Sequence, residues 1–394
     1  MLESPLASCH KWGAGKPSTH GWTRFDRQCS RILQGTSTIK ELYKKAQILY
    51  MYAMVMISSD NKKPHSDSNS PHRNHAAGKK FILAHLSDPH IACVSPVKKR
   101  DLLNKRLLGY LRWRLFRKRA HQDEVLSILQ EDLKSIRPDH IAVTGDLTHL
   151  GLPAEFKKAQ MWLRSLGTPA QVTVVPGNHD AYVRSDWNQT FACWLDYMVS
   201  DPPYQHSARV SGFDDLFPTL RVRGQIALIG VCSAHPSAPH LAIGTIGEPQ
   251  LNKLETVLKQ TAAQGLFRIV AIHHPPLSGI ESWRRRLTDA RSLRRLVARC
   301  GADLILHGHV HKAVHHTLNT PSGRTTVVGA TSASSSRLTY QRRACYYIYT
   351  LMASENAWDV HIAQRVYCPD AHRFIPGKEQ HHWLQGNWMQ RDAL

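Results

Sequence analysis

From Lys80 onward, short apolar runs alternate with longer stretches in which apolar residues recur every three or four positions. The runs at 81–86, 140–144, 172–175, 268–272 and 303–306 have strand length, and the stretches 123–136, 153–166, 249–264 and 288–299 have helical period. A helix between successive strands makes those strands parallel neighbours, so the pattern predicts an α/β fold. The later runs 313–318, 325–330, 345–351 and 358–363 are spaced as hairpins and are expected to complete a second sheet against the first. The expected architecture is a β-sandwich of two mixed sheets flanked by helices, in α-β-β-α layers over residues 80–365. Residues 1–79 show no clear period, and 61–80 are polar and punctuated by proline, so they read as a disordered N-terminal extension. Residues 366–394 read as a C-terminal tail.

The polar residues that follow the apolar runs carry the chemistry. They are Asp88-Pro89-His90, Gly145-Asp146, Gly177-Asn178-His179-Asp180, His273-His274-Pro275 and Gly308-His309-Val310-His311. Each pair or triplet alone is ordinary turn chemistry. All five in order, each after an apolar run, place carboxylate, imidazole and amide groups at the strand ends, where open α/β sheets build their sites. The donors are scattered over more than half the chain, which excludes a zinc finger and demands a folded scaffold. Asp and Asn oxygens mixed with His nitrogens suit Mn, Fe, Zn or Ni. There are enough donors for two ions side by side, an arrangement that lowers the pKa of a shared water and clamps phosphoryl oxygens. His179 is the candidate for stabilising transition-state charge and protonating the leaving oxygen, with Asp180 expected to orient its ring.

This series resembles the calcineurin-like metallophosphoesterase superfamily, whose pattern is D-x-H, GD, GNH[DE], H and GHxH, over residues 80–358. The stretch from Gly247 to Leu251 and the spacing from His273 to Gly308 are similar to the branch containing bacterial cyclic-nucleotide and other phosphodiesterases. The resemblance implies a metallophosphoesterase-type sandwich with one metal held by Asp88, His90, Asp146 and His311. It implies a second held by Asp146, Asn178, His273 and His309, with Asp146 bridging and Mn or Fe as the favoured ions. His273 is preferred to His274 because the family's ligand stands two residues before the proline. The implied activity is hydrolysis of a phosphodiester or pyrophosphate bond by hydroxide held between the metals. The alternatives are a UDP-2,3-diacylglucosamine pyrophosphatase-like enzyme, a cyclic-nucleotide phosphodiesterase, a nuclease and, least favoured, a non-catalytic membrane adaptor.

Composition refines this picture. The eight cysteines are dispersed and form no Cys-x-x-Cys, which argues against a disulfide framework and for a reducing compartment. The longest apolar run, 48–57, is about half the ~20 residues that span a bilayer, and no early apolar core marks a secretory signal. The expected location is cytoplasmic, with peripheral contact at the inner face of the membrane. That contact is suggested by residues 98–119, which carry ten basic residues and one acid around a leucine stripe and read as a basic amphipathic helix. Lys105, Arg106, Arg112, Arg114 and Arg117 are its candidate docking residues for anionic lipid or an acylated substrate. The formal charge of +21 comes with no nucleic-acid-binding module, so specific nucleic-acid binding is not expected.

Overall fold

The computed structural model describes residues 80–91, 105–112, 122–205, 210–321, 323–337, 339–354 and 357–385. The expected extension over 1–79 lies outside these residues, as do 98–104 and 113–119 of the basic helix.

Two six-stranded mixed sheets form the core. The first runs β12-β11-β10-β1-β2-β3, with β1 (Phe81–Leu86), β2 (His140–Val143) and β3 (Val172–Val174) parallel. β10 (Cys345–Ala353), β11 (Ala357–Cys368) and β12 (Arg373–Gln385) continue it antiparallel from the free edge of β1. The second runs β4-β5-β6-β7-β9-β8, in which β5 (Ile226–Val231), β6 (Phe267–Ile272), β7 (Leu304–His307) and β9 (Gly323–Gly329) are parallel. Its edges, β4 (Thr219–Arg223) and β8 (Val314–Thr320), are antiparallel.

Side-chain alternation divides the core into layers. Leu83 of β1 enters the layer between the sheets with Leu228, Ile269, Leu306 and Tyr349. Its neighbours Ala84 and Leu86 face the helical layer, against α2 (Asp123–Ile136) and α3 (Pro153–Leu166), which supply Val125, Leu129, Phe156 and Leu163. On the second sheet, Ile229 and Val270 meet Leu254, Leu258 and Leu293 from α4 (Glu248–Ala263) and α5 (Ala290–Cys300). Each fully buried Leu or Phe contributes about 1.5–3 kcal/mol. The short α1 spans Arg106–Arg112.

Local chemistry sets the helix limits. Pro153 supplies the fixed φ of a first turn, and the Glu155 carboxylate reaches back to the Leu152 N–H. α2 stops at Arg137, which takes φ 52° and returns its N–H to the Leu133 carbonyl.

Two expectations are corrected, and one element is added. The late strands do not all build the second sheet, because β10 pairs with the free edge of β1 and β11 with β10, while β8 and β9 join the other sheet. Residues 366–385 are not a tail. β11 continues to Cys368, and β12 pairs with it; a register shift between Ala363 and Arg365 lets Phe374 enter the helical layer and Leu384 the layer between the sheets, while the polar residues between them hide the strand in the sequence. The β4–β5 hairpin was also not anticipated; it turns at Gly224 with φ 59°.

Candidate metal centre

The parallel strands point their C-terminal ends the same way, so the loops after β1, β2, β3, β6 and β7 converge. Backbone bonds join them: Asp88 N–H donates to Gly145 O, His90 N–H to Asp146 O and Gly308 N–H to His273 O, at 3.0–3.1 Å. Five site residues lie in the left-handed region, namely Asp88 (φ 53°), His90 (45°), Asp146 (55°), His309 (68°) and His311 (52°). Such a backbone costs roughly 1–2 kcal/mol per residue, and a cluster of them at one place marks a geometry imposed by its surroundings. Two motif glycines are there for space. A Cβ on Gly177 would overlap the Asp146 carboxylate, and one on Gly308 would overlap Ser87 Oγ and the Asp88 carboxylate.

The structure brings together all seven residues expected as ligands. Asp88 Oδ1 is 3.1 Å from His311 Nε2 and 3.8 Å from His90 Nε2, and those two nitrogens are 3.1 Å apart. Asp146 Oδ2 lies 4.0 Å from His90 Nε2 on one side and 3.4 Å from His273 Nε2 on the other. His273 Nε2 is 3.1 Å from Asn178 Oδ1. The His309 ring completes this half, 5.1 Å from the His273 ring. His274 turns away: Nδ1 meets Ser233 Oγ at 2.8 Å and Nε2 meets the Ala242 carbonyl at 3.3 Å.

The second nitrogen of three of the four ring ligands, His90, His273 and His309, tests whether this set fits metals. His90 Nδ1 faces the Thr148 carbonyl at 3.3 Å, His273 Nδ1 the Thr144 carbonyl at 2.7 Å, and His309 Nε2 the Arg285 carbonyl at 2.8 Å. A carbonyl only accepts, so each of those nitrogens carries the proton and the opposite one presents its lone pair to the centre. The Asp88 Oδ1 atom is buried with no hydrogen-bond partner. The other oxygen of each carboxylate is fixed, Asp88 Oδ2 by the His309 N–H at 3.0 Å and Asp146 Oδ1 by the His179 N–H at 2.7 Å. Anchored lone pairs and two buried carboxylates fit divalent cations with mixed N/O preference. The field points the same way. Burial disfavours charge on Asp146, but His273, His179 and His90 outweigh it and hold the carboxyl well below the usual range. Burial also lowers His273, and Asp146 more than reverses that, bringing the imidazole to about 9, so until a cation displaces it a second proton sits on the nitrogen that faces Asp146.

His179 stands beside this centre, with its ring 4.8 Å from the His90 ring and stacked on Tyr182 at 5.7 Å. Its Nδ1 donates to the His149 carbonyl at 2.6 Å. The support expected from Asp180 therefore comes from a backbone carbonyl. Asp180 is buried and holds the loops instead, accepting from Gly177 N, Thr148 N and Thr148 Oγ1 at 2.8–2.9 Å. Burial and the neighbouring Asp146 charge raise its carboxyl to about 7.

The candidate docking residues separate. Arg106 is buried, not solvated: Nε donates to Leu150 O at 2.9 Å, and the guanidinium also binds Gly151 O and Ser185 Oγ. Its long side chain tethers α1 to the loop after β2. Lys105 turns into the cleft, with Nζ 3.1 Å from the oxygen atoms of Ser237, 3.3 Å from Leu241 O and 4.5 Å from the Tyr182 ring centroid. The Arg112 side chain, Arg114 and Arg117 lie outside what is described. Among the described residues no helix is long and apolar enough to cross a membrane.

The centre opens into a cavity of about 420 Å³ whose walls include Tyr182, His240, Leu241, Arg285, Arg337 and Arg342. Sequence reading did not single out Tyr182, His240, Arg337 or Arg342, which stand in no motif and meet only through the fold.

The sequence from 81 to 313 matches the family model for the calcineurin-like phosphoesterase. The chain belongs to this family. Among curated relatives it is 28% identical over 247 residues to a cAMP/cGMP dual specificity phosphodiesterase of Mycobacterium tuberculosis, covering 60% of this chain and 64% of that one. It is 28% identical over 238 residues to a probable cyclic nucleotide phosphodiesterase of Rhodococcus erythropolis, covering 59% and 65%. The chain thus spans a little under two thirds of the length of these relatives. A solved dimetal phosphatase from Danio rerio is similar at 13% identity and a TM-score of 0.48, over 78% of this chain and 99% of that one.

Proposed function

We propose that this chain is a dinuclear-metal phosphoesterase that hydrolyses a phosphodiester or pyrophosphate bond. Asp88, His90, Asp146 and His311 would hold one ion, and Asp146, Asn178, His273 and His309 the other, with Asp146 shared. The observation that carries this reading is the set of anchored imidazole lone pairs converging with two buried carboxylates on the family's five motifs. When bound, two such ions lower the pKa of water and take up charge on phosphoryl oxygens.

The chain's own groups then divide the remaining work. Asn178 and the two carboxylates would hold the ions in place. The Asp146 side chain also fixes the His179 backbone, so the loop that carries the acid is registered on the shared ligand. The His149 carbonyl accepts from Nδ1 of His179 and stabilises its protonated form, leaving Nε2 to give a proton to the departing oxygen. Tyr182 keeps that ring in plane by stacking.

Cyclic nucleotides are the first substrates to assay, because the named relatives are cyclic-nucleotide phosphodiesterases. The test of the centre is Asp146→Ala. Removing the carboxylate between two cations leaves their repulsion unscreened, so bound metal and turnover of an aryl phosphodiester both fall to background. Two equivalents of metal by elemental analysis with normal turnover in that variant would sink the assignment.

A further inference from the structure

The cavity carries more positive charge than one phosphodiester can use. Asp88 and Asp146 cancel half the charge of two divalent ions, and a hydroxide with the single charge of a diester cancels the other half. Lys105, Arg337 and Arg342 line the same cavity, and no carboxylate lies within ion-pair distance of any of them among the described residues. Arg285 differs, since it faces Glu281 at 3.5 Å and donates to the His309 carbonyl at 3.0 Å.

Lys105 is built into the wall. Its Nζ is held by Ser237 and Leu241 from the loop after β5 and stands over the Tyr182 ring, and burial lowers its pKa. An ammonium set into a partly buried wall with only neutral acceptors around it costs free energy unless an anion arrives. Its place is secured from behind, because the next residue, Arg106, pins α1 to the Leu150 and Gly151 carbonyls. Arg337 and Arg342 come from the segment between β9 and β10, and their planar guanidinium groups match phosphate oxygens.

We propose that Lys105, Arg337 and Arg342 form a second anion subsite that seats a phosphoryl group next to the one undergoing hydrolysis. The substrate class is then a pyrophosphate diester, with one phosphoryl group at the metals and its neighbour at these three cations. A cyclic mononucleotide, with one charge, leaves the subsite empty. The inference rests on the dinuclear phosphoesterase reading and narrows it.

The experiment compares two nucleotides by titration calorimetry on the Mn-loaded full chain: adenosine 5′-monophosphate and the non-hydrolysable adenosine 5′-(α,β-methylene)diphosphate. Wild type should bind the diphosphate at least tenfold more tightly, and 0.5 M salt should shrink that ratio. In the triple variant Lys105→Met, Arg337→Gln, Arg342→Gln, the ratio should fall to within about twofold of unity. The wild-type comparison decides without any variant, since equal affinity for the two nucleotides overturns the subsite. A tenfold preference that survives in a folded triple variant overturns it as well. Elemental analysis of the same samples separates the layers: two equivalents of metal with a ratio near one reject only the subsite, while a chain without metal that binds neither nucleotide rejects the underlying reading and the subsite with it.

Discussion

Glu155 links the stability of the loop that carries the site to pH. The carboxyl is 2% exposed, and its Oε2 accepts from Leu150 N at 2.9 Å and Leu152 N at 3.0 Å. It thereby fixes the turn whose His149 and Thr148 groups hold His179 and Asp180. Burial raises its pKa from 4.5 to about 7, against the opposing effect of those N–H groups and of Arg106. The sign follows from proton uptake. Between pH 4.5 and about 7 the folded chain keeps a proton that the unfolded chain has lost, so stability falls as pH rises through that window and levels off above it. A shift of about 2.5 units corresponds to about 3 kcal/mol. Glu155→Gln keeps an acceptor oxygen for both N–H groups and removes the titration. Denaturant unfolding of wild type and variant at pH 5 and pH 8 isolates the effect as a double difference, in which all other groups cancel. The variant should lose about 2.5 kcal/mol less than wild type between the two pH values, since pH 5 already lies above the unfolded pKa. An identical pH dependence in the two proteins would show that Glu155 is ionised throughout and that the two N–H donors outweigh burial.

Three further outcomes follow from the same geometry. His179→Ala should keep its metal and lose turnover by roughly 10²–10⁴-fold on poor leaving groups; the loss should shrink on p-nitrophenyl esters, and equal losses on both would assign the ring to charge stabilisation alone. Gly308→Ala drives a methyl into Ser87 and the Asp88 carboxylate, so metal measured by elemental analysis should fall while far-UV circular dichroism stays that of a folded chain. Arg106→Met leaves the Leu150 and Gly151 carbonyls without their donor, and thermal or denaturant unfolding should show a loss of about 1–3 kcal/mol for each buried group left unpaired. No measurable loss would return Arg106 to the solvated face that its sequence neighbourhood suggests.

The fold was legible where one physical signal dominated. β1 and α2 fall within the expected bounds because each buries a full face with the right period and has local stops. β12 was not legible, since an edge strand buries few of its residues and its exposed Lys378, Glu379 and His381 read like a tail. The sheet membership of β10 could not be read either, because a hairpin-spaced strand fits the edge of either sheet, and only packing of Tyr349 and Leu351 between the sheets decides. The candidate metal donors were legible because the chemistry constrains residue type, order and strand end together.

The partners of those donors follow a different rule. His179 is held by a carbonyl of His149, His273 by a carbonyl of Thr144 and His309 by a carbonyl of Arg285. A backbone carbonyl is present at every position, so no residue type announces which one will be used. Sequence reading favours a side chain for such a task, which is why Asp180, adjacent and acidic, was assigned to the ring it does not touch. Arg106 misleads for the same reason. Its charge is visible in a run of ten basic residues, while the carbonyls that draw it inward appear only once the loop after β2 has turned at Gly151 with φ 66°. Charge in a sequence therefore reports composition, and burial decides which cations face solvent, which hold the scaffold and which, like Lys105, remain to meet an anion in the cleft.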